Sequence, residues 1–291
     1  MYVMSYFRTS AEGLHLAISE DGLAWTPLNG NRPILTASPD LRTIRDPHLS
    51  RDGDDIFHLV FTSGWAADGI GHCASRDLLR WGEQEFLPVM AGVHDVRNCW
   101  APECFHGGED SVSRILWSST INPDDAPGWT TSDVWARPHD HRIWHTTTRD
   151  FRTFEPASVF FDPGYSVIDA TLAQYDGRYL MAFKDERGEN RRGTEHKRIH
   201  ICSASRATGP WREISAPITG ELTEGPALFR RDGAWVLLYD YFHEGSYGAA
   251  TSADGRQWSD ITREVTFPPG PRHASVIEVD EEVARGLRHA V

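Results

Sequence analysis

A short pattern occurs five times along this sequence of 291 residues. In each copy a Ser or Thr closes an apolar, β-prone run, and an aromatic residue follows six positions later. The copies run from Ser19 to Trp25, Ser75 to Trp81, Thr148 to Phe154, Ser205 to Trp211 and Ser252 to Trp258. All-β self-similarity at about 40 to 50 residues is typical of a β-propeller built from four-stranded blades. Five copies therefore predict an all-β, five-bladed β-propeller, with each copy at the end of a blade's third strand.

The first copy of the pattern has no candidate for an innermost strand before it. Residues 2–7 and 13–19 supply only middle strands, and the missing strand is predicted at residues 273–279. Pairing of 273–279 with 2–7 would place both chain ends in one blade and leave no open sheet edge. Residues 1–291 are accordingly predicted to form a single domain, with 280–291 as a polar tail or short helix.

Acidic residues stand where three of the predicted innermost strands begin, at Asp46, Asp169 and Glu224. An Asp-Gly pair, a strong hairpin signal, follows each of them after six, seven and eight residues, at positions 52–53, 176–177 and 232–233. We interpret the three acids as equivalent positions of the repeat. Innermost strands line the central channel of a propeller, so the acids are predicted to share one pocket at its mouth. The alternative is that each acid only caps a turn.

Three neighbouring carboxyl groups suit the hydrolysis of a glycosidic bond. This reaction needs one protonated carboxyl to help the leaving oxygen depart and one ionised carboxyl to activate water or attack. A third acid nearby can raise the pKa of the proton donor, because like charges at short range cannot all ionise cheaply.

Composition restricts the partners. The net charge of −13 argues against nucleic acid or an anionic membrane and is compatible with a neutral, hydroxyl-rich ligand. The N-terminus lacks the pattern of a signal peptide, and no run reaches the roughly 20 apolar residues of a membrane span, so we expect a soluble, cytoplasmic protein unless a signal was removed. The cysteines lack metal-ligand spacing and are predicted to be small buried hydrophobic residues: Cys73, Cys99, Cys104 and Cys202.

Two segments fall outside the repeat and are predicted to be rim loops. Residues 121–142 account for the longest interval and carry Trp129 and Trp135, and residues 186–198 form a charged excursion that we expect to be solvated.

Six motifs together resemble glycoside hydrolase family 43 along nearly the whole chain. They are RDPHL at 45–49, NCWAPE at 98–103, SVIDAT at 166–171, FKDE at 183–186, EGPAL at 224–228 and RHASV at 272–276. The resemblance implies a five-bladed propeller and inverting hydrolysis of furanosides or xylosides, most often exo-acting on α-L-arabinofuranosides. One departure is that 45 residues precede the Asp-Pro motif, whereas many members begin close to it, which leaves the substrate open.

The resemblance also implies roles for the acids. Asp46 resembles the general base, Asp169 the residue that orients the acid and tunes its pKa, and Glu224 the general acid. His273 resembles the channel histidine that in some members ligates a calcium or sodium ion through water; the alternative is a hydrogen-bonded core residue. No cofactor is otherwise required.

Further residues around the acids are candidates for binding an oligosaccharide or simple glycoside. Sugar sites need aromatic faces for C–H groups and polar side chains for hydroxyls. Stacking is assigned to Trp65, Trp100 and Tyr165, and hydroxyl binding to Arg97, Lys184, Asp185 and Arg272; Glu103 is a weaker candidate. Each aromatic residue could instead belong to the core.

Other functions remain open at this point. Galactofuranosides or β-D-xylosides are alternative substrates. A retaining propeller glycosidase acting on fructosides would differ in product stereochemistry, and a carbohydrate-binding propeller without catalysis would not need three aligned acids.

Overall fold

The computed structural model describes residues 1–108, 112–121, 139–188 and 193–290. Trp129 and Trp135, together with most of the predicted rim loop 121–142 and residues 189–192 of the second loop, lie outside this range. The strands are β1 (Tyr2–Phe7), β2 (His15–Ser19), β3 (Thr26–Pro27), β4 (Arg45–Arg51), β5 (Phe57–Thr62), β6 (Ile70–Ser75), β7 (Glu85–Leu87), β8 (Trp100–Gly107), β9 (Val112–Ser119), β10 (Arg142–Thr148), β11 (Ser158–Phe161), β12 (Val167–Tyr175), β13 (Arg178–Asp185), β14 (Ile199–Ala204), β15 (Glu224–Arg231), β16 (Ala234–Tyr241), β17 (Ser246–Ser252), β18 (Ser259–Asp260) and β19 (Arg272–Glu278). An α-helix, α1 (Glu281–Arg288), follows β19, and short 3-10 segments occupy Asn29–Asn31, Thr194–His196 and Thr262–Glu264.

These strands form five antiparallel sheets, which we number as blades 1 to 5. From the inside outward, blade 1 is β4-β5-β6-β7, blade 2 is β8-β9-β10-β11, blade 3 is β12-β13-β14, blade 4 is β15-β16-β17-β18 and blade 5 is β19-β1-β2-β3. The innermost strands contact one another in the order β4, β8, β12, β15, β19 and back to β4. The predicted all-β, five-bladed propeller is confirmed. In blade 5, β19 pairs with β1 so that Tyr2 lies opposite Glu278 and Phe7 opposite Arg272.

The recurring pattern forms a turn held by side chains. In blade 1, Ser75 Oγ accepts the Leu78 N–H at 2.9 Å, while Asp77 Oδ1 accepts the N–H groups of Leu79 and Arg80 at 2.9 and 2.7 Å. The same bonds recur after Ser19, Thr148 and Ser252. The pattern therefore marks the end of the third strand, as predicted, in four blades.

Blade 3 departs from this arrangement because the turn lacks its acceptor. Ala207 occupies the position of the Asp and is buried. The described part of blade 3 has three strands, and backbone hydrogen bonds of Arg212, Ser215 and Ile218 to β14 continue it outward without a fourth strand.

Every innermost strand carries a β-bulge at the same level. At each bulge, two residues of the innermost strand oppose one residue of the second strand. The first of the two residues has a left-handed backbone conformation, as in a G1 bulge. These first residues are Asp46 (φ 49°), Ala101 (φ 47°), Asp169 (φ 56°), Gly225 (φ 55°) and His273 (φ 42°). Opposite each bulge stands a buried aromatic residue: Phe61, Trp117, Phe183, Tyr239 and Tyr6. The five bulges set the geometry of one end of the channel.

The bulges correct the predicted equivalence of the three acids. Asp46 and Asp169 occupy the bulge position, but the equivalent residue of blade 4 is Gly225, and Glu224 lies one residue before it. The prediction compared the three acids by their distance from the next Asp-Gly turn. Asp176 lies seven residues after Asp169, and Asp232 lies seven residues after Gly225 but eight after Glu224. Glu224 therefore enters the channel mouth from a different backbone position.

The remaining expectations concern burial. All four cysteines are free and buried, as predicted, and burial raises the pKa of the Cys73 thiol to about 12. The prediction that residues 186–198 are solvated is wrong in part. Lys197 is buried and pairs with Glu186, so this end of the loop is not exposed to solvent. None of the helices in the described part of the chain has the length and apolar composition needed to span a membrane.

Candidate active site

A cavity of about 310 Å³ lies where the innermost strands begin, at the level of the bulges. Asp46, Asp169 and Glu224 all line it, so the three acids do converge despite the shift at Glu224. Other predicted residues in its lining are Trp65, Trp100, Lys184, Arg272 and His273. Acids and aromatic side chains from different blades thus meet in one pocket.

Asp46 is positioned by two neighbouring blades. Thr62 Oγ1 donates to Asp46 Oδ2 at 2.7 Å and accepts the Ala101 N–H of blade 2 at 2.9 Å. On the other side, His273 Nδ1 of blade 5 lies 3.5 Å from Asp46 Oδ1. The hydroxyl hydrogen bond fixes one carboxylate oxygen of Asp46.

Glu224 is held by two cations. Its Oε2 atom lies 3.0 Å from Lys184 Nζ, and its Oε1 atom lies 2.8 Å from Arg272 Nη2. Burial alone would raise the pKa of Glu224, but the charges of Lys184 and Arg272 lower it to about 2. Glu224 is therefore ionised in the free protein, contrary to the expectation that Asp169 keeps it protonated.

Asp169 has the opposite electrostatic environment. Its Oδ2 atom accepts the Gly225 N–H at 3.0 Å, and its own N–H donates to Ser118 Oγ at 3.1 Å. Burial raises the pKa of Asp169 to about 6, and the nearby charges of Glu224 and Asp46 act in the same direction. The pKa of Asp169 is therefore shifted upward and that of Glu224 downward.

Aromatic rings form one wall of the cavity. The rings of Trp65 and Trp100 meet edge to face at 5.7 Å, and Trp100 Nε1 donates to the Trp65 carbonyl at 2.9 Å. His139 and His141 stack parallel at 4.7 Å, and both contact the Trp100 ring. Burial holds the pKa of His141 well below its usual value, so this imidazole is neutral.

The sequence analysis did not single out several residues of the lining. They are Arg45, Thr62, Ala101, His139, His141, Ile168, Glu186, Phe242 and His243. Glu186 stood in a quoted motif without an assigned role. His139 and His141 carry no local motif, and only their proximity in the folded chain identifies them.

Three predicted binding residues do not line the cavity in the described structure. Asp185 follows Lys184 on β13, so the two side chains point to opposite faces of the sheet. Asp185 instead pairs with Arg187, with Nη2 and Oδ2 2.6 Å apart, and the Arg187 guanidinium lies 4.2 Å from the centre of the Tyr165 ring. Arg97 is buried, and its backbone N–H bonds the Thr120 carbonyl. None of Arg97, Tyr165 and Asp185 is among the described residues lining the cavity.

The channel beneath the cavity is polar. Glu103 is buried 3.5 Å from His48 Nε2, and burial raises the pKa of Glu103 well above its usual value. Among the described residues no group of three or more His, Cys, Asp or Glu side chains is arranged to hold a metal ion. His273 lies against Asp46 and Gly225, and a calcium or sodium ion held by it through water stays a prediction.

Comparison with solved structures places this architecture among known propellers. A thermostable family-43 glycoside hydrolase superposes with a TM-score of 0.61 at 18% identity, covering 80% of this chain and 78% of that one. An α-L-arabinofuranosidase from Lactobacillus brevis superposes with a TM-score of 0.55 at 19% identity, covering 82% and 80%. At these identities the likeness shows a shared fold, the β-propeller of glycoside hydrolases.

The family follows from the sequence. The model of a glycosyl hydrolase 43-related family, described as "Probable glycosyl hydrolase domain", matches residues 1–284. The chain belongs to this family, which confirms the resemblance seen in the six motifs. An α-L-arabinofuranosidase of Bifidobacterium longum subsp. longum is 23% identical in an alignment over 177 residues that covers 55% of this chain and 17% of that protein. The chain thus spans less than a fifth of the length of this curated relative.

Proposed function

We propose that this protein is an inverting glycoside hydrolase that acts on furanosides or xylosides, with terminal α-L-arabinofuranosyl groups as the favoured substrate. The observation that carries the proposal is the convergence of Asp46, Asp169 and Glu224, from three blades, on one cavity with an aromatic wall. Membership of the glycosyl hydrolase 43-related family supports hydrolysis, and the name of the Bifidobacterium relative supports arabinofuranosides.

In the proposed reaction, a water molecule attacks the anomeric carbon directly. Asp46 takes a proton from this water as the new C–O bond forms. The glycosidic C–O bond breaks with its electron pair going to the leaving oxygen, which takes a proton from Glu224. The released sugar thereby gains a hydroxyl group and the leaving group gains a proton, and the anomeric configuration is inverted. Inverting sites separate the two carboxyls by roughly 6.5 to 9.5 Å, which we expect for Asp46 and Glu224.

The cavity also suits a neutral sugar. Cations and carboxylates alternate around it, since Lys184 and Arg272 are paired with Glu224, and Arg45 is paired with Glu12 at 2.6 Å. Neutral imidazoles and the Trp100 ring supply hydrogen-bonding groups and an apolar face. An oligosaccharide or simple glycoside is therefore the proposed ligand.

A panel of nitrophenyl furanosides and pyranosides tests the activity, with Asp46→Asn as the inactive control. We expect release of nitrophenol from the α-L-arabinofuranoside by the wild-type protein and loss of at least two orders of magnitude in the variant. NMR of the sugar first released then reports its configuration. Retention of the substrate's anomeric configuration would contradict the inverting mechanism, and no turnover of any glycoside, with binding intact, would favour a carbohydrate-binding propeller.

A further inference from the structure

One position on the second strand of each blade contacts the next blade around the ring. It is the residue that follows the aromatic residue opposite the bulge. Thr62 and Ser118 each accept the bulge N–H of the next blade, from Ala101 and Asp169. The equivalent residues of blades 3, 4 and 5 are Lys184, which pairs with Glu224, Asp240, which pairs with Arg272, and Phe7, whose ring lies under Arg45.

Lys184 cannot perform the task of Thr62 and Ser118, because an ammonium group has no acceptor. The bulge N–H of blade 4, on Gly225, is bonded instead by Asp169 Oδ2 at 3.0 Å. Lys184 extends past this amide to Glu224, with Nζ 3.0 Å from Oε2. The position that in blades 1 and 2 binds the next blade through a hydroxyl thus places, in blade 3, a positive charge beside the expected proton donor.

A second carboxylate, that of Glu186, also holds the ammonium of Lys184. Lys184 is 2% exposed, and its Nζ also lies 2.8 Å from Glu186 Oε2. Glu186 Oε1 in turn lies 2.6 Å from Nζ of Lys197, which is 3% exposed. On the other side of Glu224, Arg272 is backed by Asp240. Glu224 therefore occupies the middle of a row of alternating charges.

We propose that Lys184 is a positioning residue that decides which carboxyl of the site carries the proton. Its charge holds Glu224 ionised in the free protein and leaves the proton on Asp169, and Glu186 limits how strongly it does so. This inference rests on the proposed function for its meaning in turnover, but the location of the proton is a property of the free protein.

The positive charges that face Glu224 favour its ionised form. Lys184 and Arg272 lower the pKa of Glu224, and Lys184 also lowers that of Asp169. Burial raises the pKa of Asp240 to about 7, and the charge of Glu224 acts in the same direction; burial lowers the pKa of Lys197, against the opposing charges of Glu186 and Glu224. The charged and titratable groups around Glu224 are Lys184 on β13, Lys197 before β14, Asp169 on β12, Asp240 on β16, Tyr247 on β17, and Arg272 and His273 on β19.

The arrangement has a consequence for turnover. Glu224 can protonate a leaving oxygen only after the proton has passed from Asp169 to Glu224. A sugar hydroxyl that accepts a hydrogen bond from Lys184 Nζ weakens the ion pair with Glu224 and favours this transfer. Glu224 thereby becomes protonated, and able to act as the acid, when a sugar occupies the cavity.

The test follows the protonation of Asp169 and Glu224 in the free protein. Protein with ¹³C-labelled Asp and Glu side chains is titrated by NMR, and the two carboxyl signals are assigned by their loss in Asp169→Asn and Glu224→Gln. In the wild type we expect a midpoint at about pH 6, seen mainly at Asp169. Lys184→Met should raise this midpoint by about one pH unit or more, because an opposite charge is removed.

Two further variants separate charge from structure. Glu186→Gln should shift the midpoint in the opposite direction, to lower pH, because it removes a negative charge and frees Lys184 to bind Glu224. Lys184→Arg should leave the midpoint near the wild-type value. Lys184→Thr, which installs the residue that blade 1 uses at this position, replaces the Met variant if that variant does not fold.

The outcomes distinguish the inference from the proposed function. Shifts of the same sign in Lys184→Met and Glu186→Gln, or an unchanged midpoint in Lys184→Met, would overturn the inference even in an active hydrolase. Opposite shifts in a protein that hydrolyses no glycoside would support the inference and refute the proposed function. In an active enzyme, the alkaline limb of kcat/KM should move with the NMR midpoint in each variant.

Discussion

Gly225 and His273 lie so close that a Cβ atom added to Gly225 would be 2.9 Å from His273 Cγ and 3.0 Å from its Cα atom. Two adjacent bulges therefore touch through a residue that has no side chain. Because Gly225 follows Glu224 directly, this contact also fixes the strand that carries the expected proton donor.

Gly225→Ala should reduce both stability and activity. The left-handed backbone of Gly225 adds about 1–2 kcal/mol for any side chain, and the clash with His273 adds to this. Gly177→Ala is the matched control, since Gly177 has φ 71° with open space around it. Urea denaturation should show the larger loss in Gly225→Ala, and only this variant should lose activity. Equal losses in stability would mean that the contact with His273 is easily relieved.

The acid and base roles predict different responses to the leaving group. Glu224→Gln should slow substrates with poor leaving groups far more than nitrophenyl glycosides, because only the former need a proton on the departing oxygen. Asp46→Asn should slow both, since water attack is needed whatever leaves. The measurement is kcat/KM for paired substrates that share the same sugar. A Glu224→Gln variant that slows both substrates equally does not fit the role of proton donor.

His141 lines the cavity but is only 1% exposed, and we predict that a bound sugar displaces the groups covering its ring and accepts a hydrogen bond from it. Asn98 Nδ2 donates to His141 Nε2 at 3.2 Å, which places the ring proton on Nδ1, and Nδ1 has no hydrogen-bond partner in the described structure. His141→Phe should raise KM about 2- to 10-fold, the effect of losing one hydrogen bond of roughly 0.5–1.5 kcal/mol. Initial rates over a range of substrate concentrations separate KM from kcat. An unchanged KM in a variant with wild-type thermal stability argues against this contact.

A buried histidine pair should make the fold sensitive to acid. His58 Nδ1 and His72 Nε2 are 3.0 Å apart, and both rings stack on Phe151. Burial, with the charge of His58, lowers the pKa of His72 to about 3 from about 6.5 in the unfolded chain. Between these values the unfolded state binds a proton that the folded state does not, so the free energy of unfolding falls as pH falls.

The variant His72→Phe removes this proton uptake. Near pH 4 to 5 its free energy of unfolding should fall less steeply with decreasing pH than in the wild type, by up to about 1.4 kcal/mol per pH unit. Urea denaturation at several pH values gives both slopes, whatever the absolute stability of the variant. Parallel slopes would show that His72 is protonated in the folded protein.

The fold was predictable because its signals are local. The Ser or Thr and the Asp of the repeat bond amides within five residues, so Ser75 and Asp77 can be recognised without knowledge of the tertiary structure. The exception is also local, since Ala207 lacks the carboxylate that the turn requires.

The site was predictable only in part, because it depends on register and on contacts between blades. A one-residue difference in bulge position separates Glu224 from Asp46 and Asp169. The spacing to the Asp-Gly turn, six residues from Asp46 and seven from Asp169, does not fix the bulge to a single residue. Lys184 and Asp185 are adjacent in sequence, yet only Lys184 faces the cavity. The partners of Lys184, namely Glu186 and Glu224, come from a loop and from the next blade, so its electrostatic effect required the folded structure.

At two of the left-handed bulge residues, the backbone conformation that costs stability is occupied by a side chain that the proposed catalysis needs. A non-glycine residue in this conformation costs of order 1–3 kcal/mol, and Asp46 and Asp169 both have it. Glycine at position 46 would relieve the backbone while removing a carboxyl group that the reaction needs. At position 169 it would also leave the Gly225 N–H without its acceptor, so there the same carboxylate serves both the joint between blades 3 and 4 and the proposed chemistry.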